Sequence, residues 1–175
     1  MSEPSVHRPA PTRRRLTRLG ARLGAVVVAL CATIVLAPSP ASANPVTIRF
    51  QMYAYNECLD SDMWGDAYTH DCGDSNPYQK WIVYSGSRGW QLQSTETGRC
   101  LAYTHSWGQA KPHTVECNAA KDEQWWVDYD TTQYVNLVNY STRKAIQCIC
   151  NNKGELVMVN PDLGNFAQMF RAINV

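Results

Sequence analysis

Between Glu57 and Cys72 the chain places Asp60, Asp62 and Asp71 beside Trp64, Tyr68 and His70. Acids and rings at this spacing suit two chemistries. One is a calcium loop, which takes oxygen ligands at positions 1, 3, 5 and 12 and glycine at 6. Asp60, Asp62, Gly65 and Asp71 match positions 1, 3, 6 and 12, but position 5 is Trp64, which offers no oxygen. The other is a polyol pocket, in which a carboxylate accepts hydroxyl hydrogens and a ring covers the apolar C–H face. Enzyme chemistry has no comparable support. The sequence holds no Gly-x-Ser-x-Gly elbow, no His-x-x-x-His pair and no phosphate loop. Asp60 and Asp62, one residue apart, set no geometry across a glycosidic bond. The expectation is a non-enzyme without cofactor or resident metal.

The elements that position these residues lie after residue 43. Residues 1–24 carry six arginines and one acid, Glu3; a 13-residue apolar run, Ala25 to Ala37, and Ala41-Ser42-Ala43 follow. This is the pattern of a secretory signal peptide spanning 1–43, and the run is too short for a bilayer, which takes about 20 residues. Thr12-Arg13-Arg14-Arg15-Leu16 leaves both the general and the twin-arginine export routes open. Residues 44–175 then hold ten basic and fourteen acidic residues, a net charge of −4. With no basic cluster, neither nucleic acid nor an anionic membrane is expected as partner once the signal is removed. The expected location is extracellular.

Within 44–175 the chain repeats. Gln79-Lys80-Trp81, Gln124-Trp125-Trp126 and Gln168-Met169-Phe170 recur at intervals of 45 and 44 residues. With Cys58, Cys100 and Ala145 in register, Leu59, Leu101 and Ile146 follow. Phe50, Leu92 and Leu137 stand eight places before, and Ile48, Trp90 and Val135 ten before. A two-residue step puts both members of each apolar pair on one strand face. Gly65, Gly108 and Gly154 fall 14, 16 and 14 residues before their glutamines, as tight turns with positive φ require. A unit of about 44 residues cannot bury its own apolar face, whereas three around a pseudo-threefold axis share one. The expected fold is an all-β β-trefoil with repeats at about 44–82, 83–127 and 128–175, and a core built on Trp81, Trp126 and Phe170.

Register also pairs cysteines. Cys72 and Cys117 each lie seven places before a repeat glutamine, so Cys58–Cys72 and Cys100–Cys117 are expected bridges. In the third repeat those positions are Ala145 and Pro161. Cys148 and Cys150 remain, one residue apart and on one strand face. A local bridge or labile pair is favoured. A bridge between two chains and a thiolate pair for a soft metal stay open, although no further ligand is near in sequence.

The Gln-x-Trp triplets, the Cys-Leu starts and the length resemble the ricin B-chain type of lectin domain. The resemblance covers residues 46–175, with a worn third copy ending in Phe170. It implies that the triplet glutamine and aromatic are mainly structural. It also implies one sugar pocket per repeat. Each takes an Asp after Cys-Leu, a ring two places before the second cysteine, a Gln four places before it, and an Asn just before the triplet. In repeat one these positions are Asp60, His70, Tyr68 and Tyr78; in repeat two Asp becomes Ala102, the ring Val115 and Asn Glu123; in repeat three they are Gln147, Val159 and Ala167. The carried-over site is therefore single and partly degraded: Asp60, Tyr68 and His70, with Trp64 as a loop platform and Gln79 counted among its carbohydrate-binding residues. Carbohydrate or polysaccharide is the expected partner. The alternative is a repurposed trefoil that binds or inhibits a secreted or surface protein.

Overall fold

A computed structural model describes residues 44–105, 108, 111–128, 134–150 and 154–175. The reading of 1–43 as a signal peptide lies outside the described residues. Short apolar-alternating segments form twelve strands: β1 (Val46–Met52), β2 (Glu57–Ser61), β3 (Ala67–Asp71), β4 (Trp81–Gly86), β5 (Gly89–Ser94), β6 (Cys100–Ala102), β7 (His113–Val115), β8 (Trp126–Asp128), β9 (Leu137–Asn139), β10 (Ala145–Ile149), β11 (Glu155–Val159) and β12 (Phe170–Asn174). The repeat boundaries drawn at 82/83 and 127/128 fall inside β4 and β8, because each triplet aromatic opens a strand rather than ending a unit.

Six strands close a barrel. β1 pairs with β4, β4 with β5, β5 with β8, β8 with β9, and β12 with β1. The remaining gap is joined by the antiparallel bridge Val135↔Phe170. The same contact recurs in each third: Ile48 faces Trp81, Trp90 faces Trp126, and Val135 faces Phe170. The apolar pairs read from the sequence are thus the barrel strands that receive the triplet aromatics. Three hairpins, β2–β3, β6–β7 and β10–β11, hang from this barrel. This is the β-trefoil, and closure leaves the barrel without a free edge.

Trp81, Trp126 and Phe170 are fully buried in one apolar cluster with Phe50, Leu92 and Leu137. Each buried indole also needs a partner for its N–H. Trp81 Nε1 donates to the Leu59 carbonyl at 3.1 Å and Trp126 Nε1 to the Leu101 carbonyl at 2.9 Å. Phe170 fills the third position with no donor to satisfy. Each indole thereby ties its barrel strand to the hairpin of its own repeat.

The repeat glycines have φ of 102°, 66° and 61° at Gly65, Gly108 and Gly154. Two of them do more than turn the chain. The Gly65 carbonyl accepts from Thr114 N at 2.7 Å, and the Gly154 carbonyl accepts from Thr69 N at 2.7 Å. Thr69 and Thr114 sit in the hairpins of repeats one and two, so each glycine docks its turn on the next hairpin. A Cβ at Gly154 would lie 1.7 Å from the Thr69 carbonyl oxygen, whereas one at Gly108 would meet nothing within 4 Å. Cys58–Cys72 and Cys100–Cys117 are bonded as the register requires, and Cys148 is bonded to Cys150.

Candidate functional site

The β2–β3 hairpin brings the predicted residues to one side. β3 alternates, so Ala67 and Thr69 point inward while Tyr68 and His70 face outward together. Asp60 on β2 lies directly across from Tyr68. Asp62 closes the hairpin turn: its Oδ1 accepts from the backbone N–H groups of Trp64, Gly65 and Asp66 at 3.0, 2.8 and 2.9 Å. That turn lifts Trp64 into solvent at 80% exposure. Asp60, Ser61, Asp62, Met63, Trp64, Tyr68, His70, Asn76 and Tyr78 enclose a cleft of about 330 Å³. Ligand sites run from about 300 Å³ upward, so the cleft is matched to one small polar ring rather than a large ligand.

Asp60 forms the floor and is only 3% exposed. Its Oδ2 accepts from Asn76 Nδ2 and from Gln79 Nε2, both at 2.9 Å, and its Oδ1 accepts from Ser61 N at 2.8 Å. Of the roughly four acceptor positions of a carboxylate, the protein fills three. One remains for a ligand hydroxyl, and Asn76 Nδ2 keeps a second N–H beside it. Burial pushes the Asp60 carboxyl above its ordinary range; the bonds from Gln79, Ser61 and Asn76, and the nearby His70, offset this only in part. Burial also raises the Tyr68 phenol, and the charges of Asp60 and Asp62 add to it.

Gln79 does not line the cleft. It is fully buried. Its amide donates to Asp60 and to the Asp71 carbonyl at 2.9 Å, and its oxygen accepts from Gly73 N at 2.9 Å. It therefore positions Asp60 and fixes the end of the hairpin without reaching a ligand. The position just before the triplet, which the resemblance gives to an Asn, holds Tyr78 here. Tyr78 does line the cleft, but the amide is Asn76, two residues earlier, at the start of a 3-10 turn over Pro77–Gln79. Its Oδ1 caps Tyr78 N at 3.0 Å while its Nδ2 holds Asp60. The sequence signal was Asn-Pro-x-Gln, which reads as turn chemistry alone.

The acids do not converge on a cation. Asp62 Oδ1 is taken by backbone donors, and Asp71 lies at the far end of the hairpin opposite Glu57. Among the described residues, the one group of acids, histidines and cysteines close enough to share a metal is Glu57 with Cys148 and Cys150.

Repeat three keeps the same polar frame. Asn165 caps the 3-10 turn Phe166–Gln168, and Asn165 Nδ2 and Gln168 Nε2 donate to Gln147 Oε1 at 2.9 and 3.1 Å. Gln147 pairs across the hairpin with Val157, where Asp60 pairs with Tyr68. In repeat two Ala102 removes the acceptor and Lys121 replaces the capping Asn; Gln124 Oε1 accepts from Asn118 N, as Gln79 and Gln168 accept from Gly73 N and Asp162 N, and also accepts from Gln91 Nε2.

No protein-family model matches the chain, and no curated protein matches it. Solved structures do match in fold. A designed threefold-symmetric protein, ThreeFoil, aligns with a TM-score of 0.61 at 17% identity, over 74% of this chain and 99% of its own. The chain is a β-trefoil. SeviL, solved bound to asialo-GM1 saccharide, aligns with a TM-score of 0.60 at 11% identity, over 75% of this chain and 98% of its own. The hemolytic lectin CEL-III aligns with a TM-score of 0.60 at 20% identity, over 73% of this chain and 30% of its own.

Proposed function

We propose that the protein is a secreted, non-catalytic carbohydrate-binding module with one working site, in the first repeat. The observation that carries this reading is Asp60: a buried carboxylate, held by two amides, with one acceptor position left over, at the base of a cleft rimmed by rings. A hydroxyl that donates to Asp60 and accepts from Asn76 satisfies both partners. Tyr68, His70, Tyr78 and Trp64 supply faces for the apolar side of a sugar ring. Lectins among the fold neighbours, SeviL with its saccharide included, support the class of ligand. A single shallow site binds weakly, so a dense polymer or clustered glycans would supply the avidity. Glycan-array and insoluble-polysaccharide binding, each with Asp60→Ala as control, tests the assignment. Binding that survives the substitution removes this site.

A second reading, a trefoil turned to protein recognition, rests on a different surface. Tyr53 and Phe166, both exposed, meet at a tilt with ring centroids 5.1 Å apart, and the Tyr134 ring lies edge-on 4.6 Å from Tyr53. Capture of a secreted protein that survives Asp60→Ala but not Tyr53→Ser with Phe166→Ser would establish it.

A further inference from the structure

The second hairpin site in the molecule is built from sulfur. Cys148 and Cys150 lie at the end of β10 with their sulfurs on one face, as a one-residue spacing requires. Cys148 is buried and Cys150 is half-buried. Into the same spot repeat one sends Glu57, at the start of β2. Its carboxylate and the two sulfurs all lie within 4.8 Å of one another. Thr69 stands between them: its hydroxyl donates to Glu57 Oε2 and lies 3.4 Å from Cys148 Sγ and 3.7 Å from Cys150 Sγ. Met52 Sδ lies 3.7 Å from Cys150 Sγ. The junction is fixed by the Thr69 N to Gly154 carbonyl bond, which docks repeat three on repeat one. Nothing in the carbohydrate site uses these residues.

In the structure the two cysteines are bonded to each other. This bridge closes by far the shortest loop of the three, at a sequence separation of 2 against 14 and 17. A bridge stabilises mainly by constraining the unfolded chain, and the constraint grows with loop length. Opening Cys148–Cys150 therefore costs the fold least. Cys150 is also partly accessible to an attacking thiolate.

We propose that the Cys148–Cys150 pair, once reduced, forms a zinc site with Glu57. A dithiol reductant opens the bridge by exchange: two S–H groups form here as the donor's own two thiols join in a disulfide. Zn(II) then displaces both thiol protons and takes two thiolates and one carboxylate, a donor set this ion favours. Three anionic donors offset the ion's two charges and leave the site at −1, and a water completes four-coordination. Thr69 plays the part of an outer partner that holds the carboxylate in place, as ligating groups generally require. A carboxylate is a hard donor, so the set favours Zn(II) over Cu(I), although the Met52 thioether lies close. The site is a redox-gated one: closed to metal as a disulfide, open to it as a dithiol.

The test is metal titration of the protein after treatment with a water-soluble phosphine. The phosphine takes an oxygen from water as it reduces the bond, and it is removed before titration. Mass spectrometry after alkylation should show two newly freed thiols, at Cys148 and Cys150, with Cys58–Cys72 and Cys100–Cys117 intact. Competition against a chromophoric chelator should then give one Zn(II) per reduced chain and none per oxidised chain. Co(II) in place of zinc should give a thiolate charge-transfer band. Glu57→Gln should lower zinc affinity at least tenfold, while Met52→Leu leaves it within twofold. Cys148→Ser with Cys150→Ser should abolish binding without changing the circular dichroism spectrum. The proposal is overturned if no thiol is freed while the longer bridges survive, or if zinc binds equally to the double serine variant. It is also overturned if Glu57→Gln has no effect, or if Cu(I) binds and zinc does not.

Discussion

Repeats one and three hold the same polar frame and put it to different uses. In both, a capping Asn and a buried Gln donate to one oxygen on the second strand of the unit. In repeat one that oxygen belongs to a carboxylate, Asp60; in repeat three to a neutral amide, Gln147. Repeat three shows that the frame folds without a charge. The charge in repeat one is then a cost the fold does not require, visible in the Asp60 carboxyl being pushed upward by burial. Burying a charge is unfavourable unless something compensates. Its surroundings say what the compensation serves: Tyr68 and His70 flank Asp60, where Val157 and Val159 flank Gln147. Perturbed groups of this kind concentrate at functional sites.

The largest effect should fall on the scaffold and differ between repeats. Gly154→Ala sets a Cβ against the Thr69 carbonyl at positive φ. It should destabilise by more than about 3 kcal/mol, the range of a severe steric lesion. Gly108→Ala has the same sign of φ and open space, and should cost about 1 kcal/mol, the left-handed penalty alone. Denaturant melts of the two variants measure the gap. Equal losses would mean that turn docking is the same at both positions.

A smaller effect should follow from making repeat three resemble repeat one. Gln147→Glu places a charge in the amide frame and should cost about 1 kcal/mol at neutral pH. It should create no sugar affinity, because Val157 and Val159 stand where repeat one has Tyr68 and His70. Gained binding would show that charge alone makes the site.

Acidification sharpens the comparison further. The folded Asp60 carboxyl titrates above its ordinary 3.8. Folding therefore takes up a proton in the window between the ordinary and the raised value. The stability linked to Asp60 is fully present below that window and is lost as pH rises through it. Relative to Asp60→Asn, the wild type should gain stability on acidification through this window and hold a constant gap above it. Carbohydrate affinity should move oppositely, falling as the carboxylate is protonated. Thermal melts and binding across the same pH series check both signs. The smallest effect belongs to the rim: Trp64→Ala should weaken binding by roughly 1 kcal/mol, as for a lost aromatic contact, and leave the melt unchanged.

Much of the fold was legible because it is periodic. The triplet spacing and the two-residue steps at Ile48 and Phe50, Trp90 and Leu92, and Val135 and Leu137 marked the barrel strands. The same register paired four cysteines. The candidate site was legible only in outline. Asp60, Tyr68, His70 and Trp64 come together because they lie on one hairpin. Asn76 was missed because an Asn before Pro at a turn looks like capping, and here it both caps and holds Asp60. Gln79 was counted among the carbohydrate-binding residues, yet it is fully buried and bonded to Asp60, Asp71 and Gly73. The Glu57 and Met52 neighbours of Cys148 and Cys150 were not legible. They arrive from another repeat, Met52 from 98 residues away, by the threefold closure and not by any local pattern.

The most direct test compares the wild type with Asp60→Asn in calorimetric titration against whichever glycan the array selects, with a thermal melt of each. Asn keeps one oxygen for Asn76 and Gln79, as Gln147 does in repeat three; it removes the charge and, with it, the oxygen that accepts from Ser61 N. Losing a charge-assisted hydrogen bond of about 1.5–3 kcal/mol should lower affinity at least tenfold at neutral pH. The melting temperature should change little, because relief of the buried charge offsets the loss of the Ser61 N bond. Undiminished affinity, or a melt lowered as far as the affinity, would contradict the claim that this carboxylate is kept for binding rather than for folding.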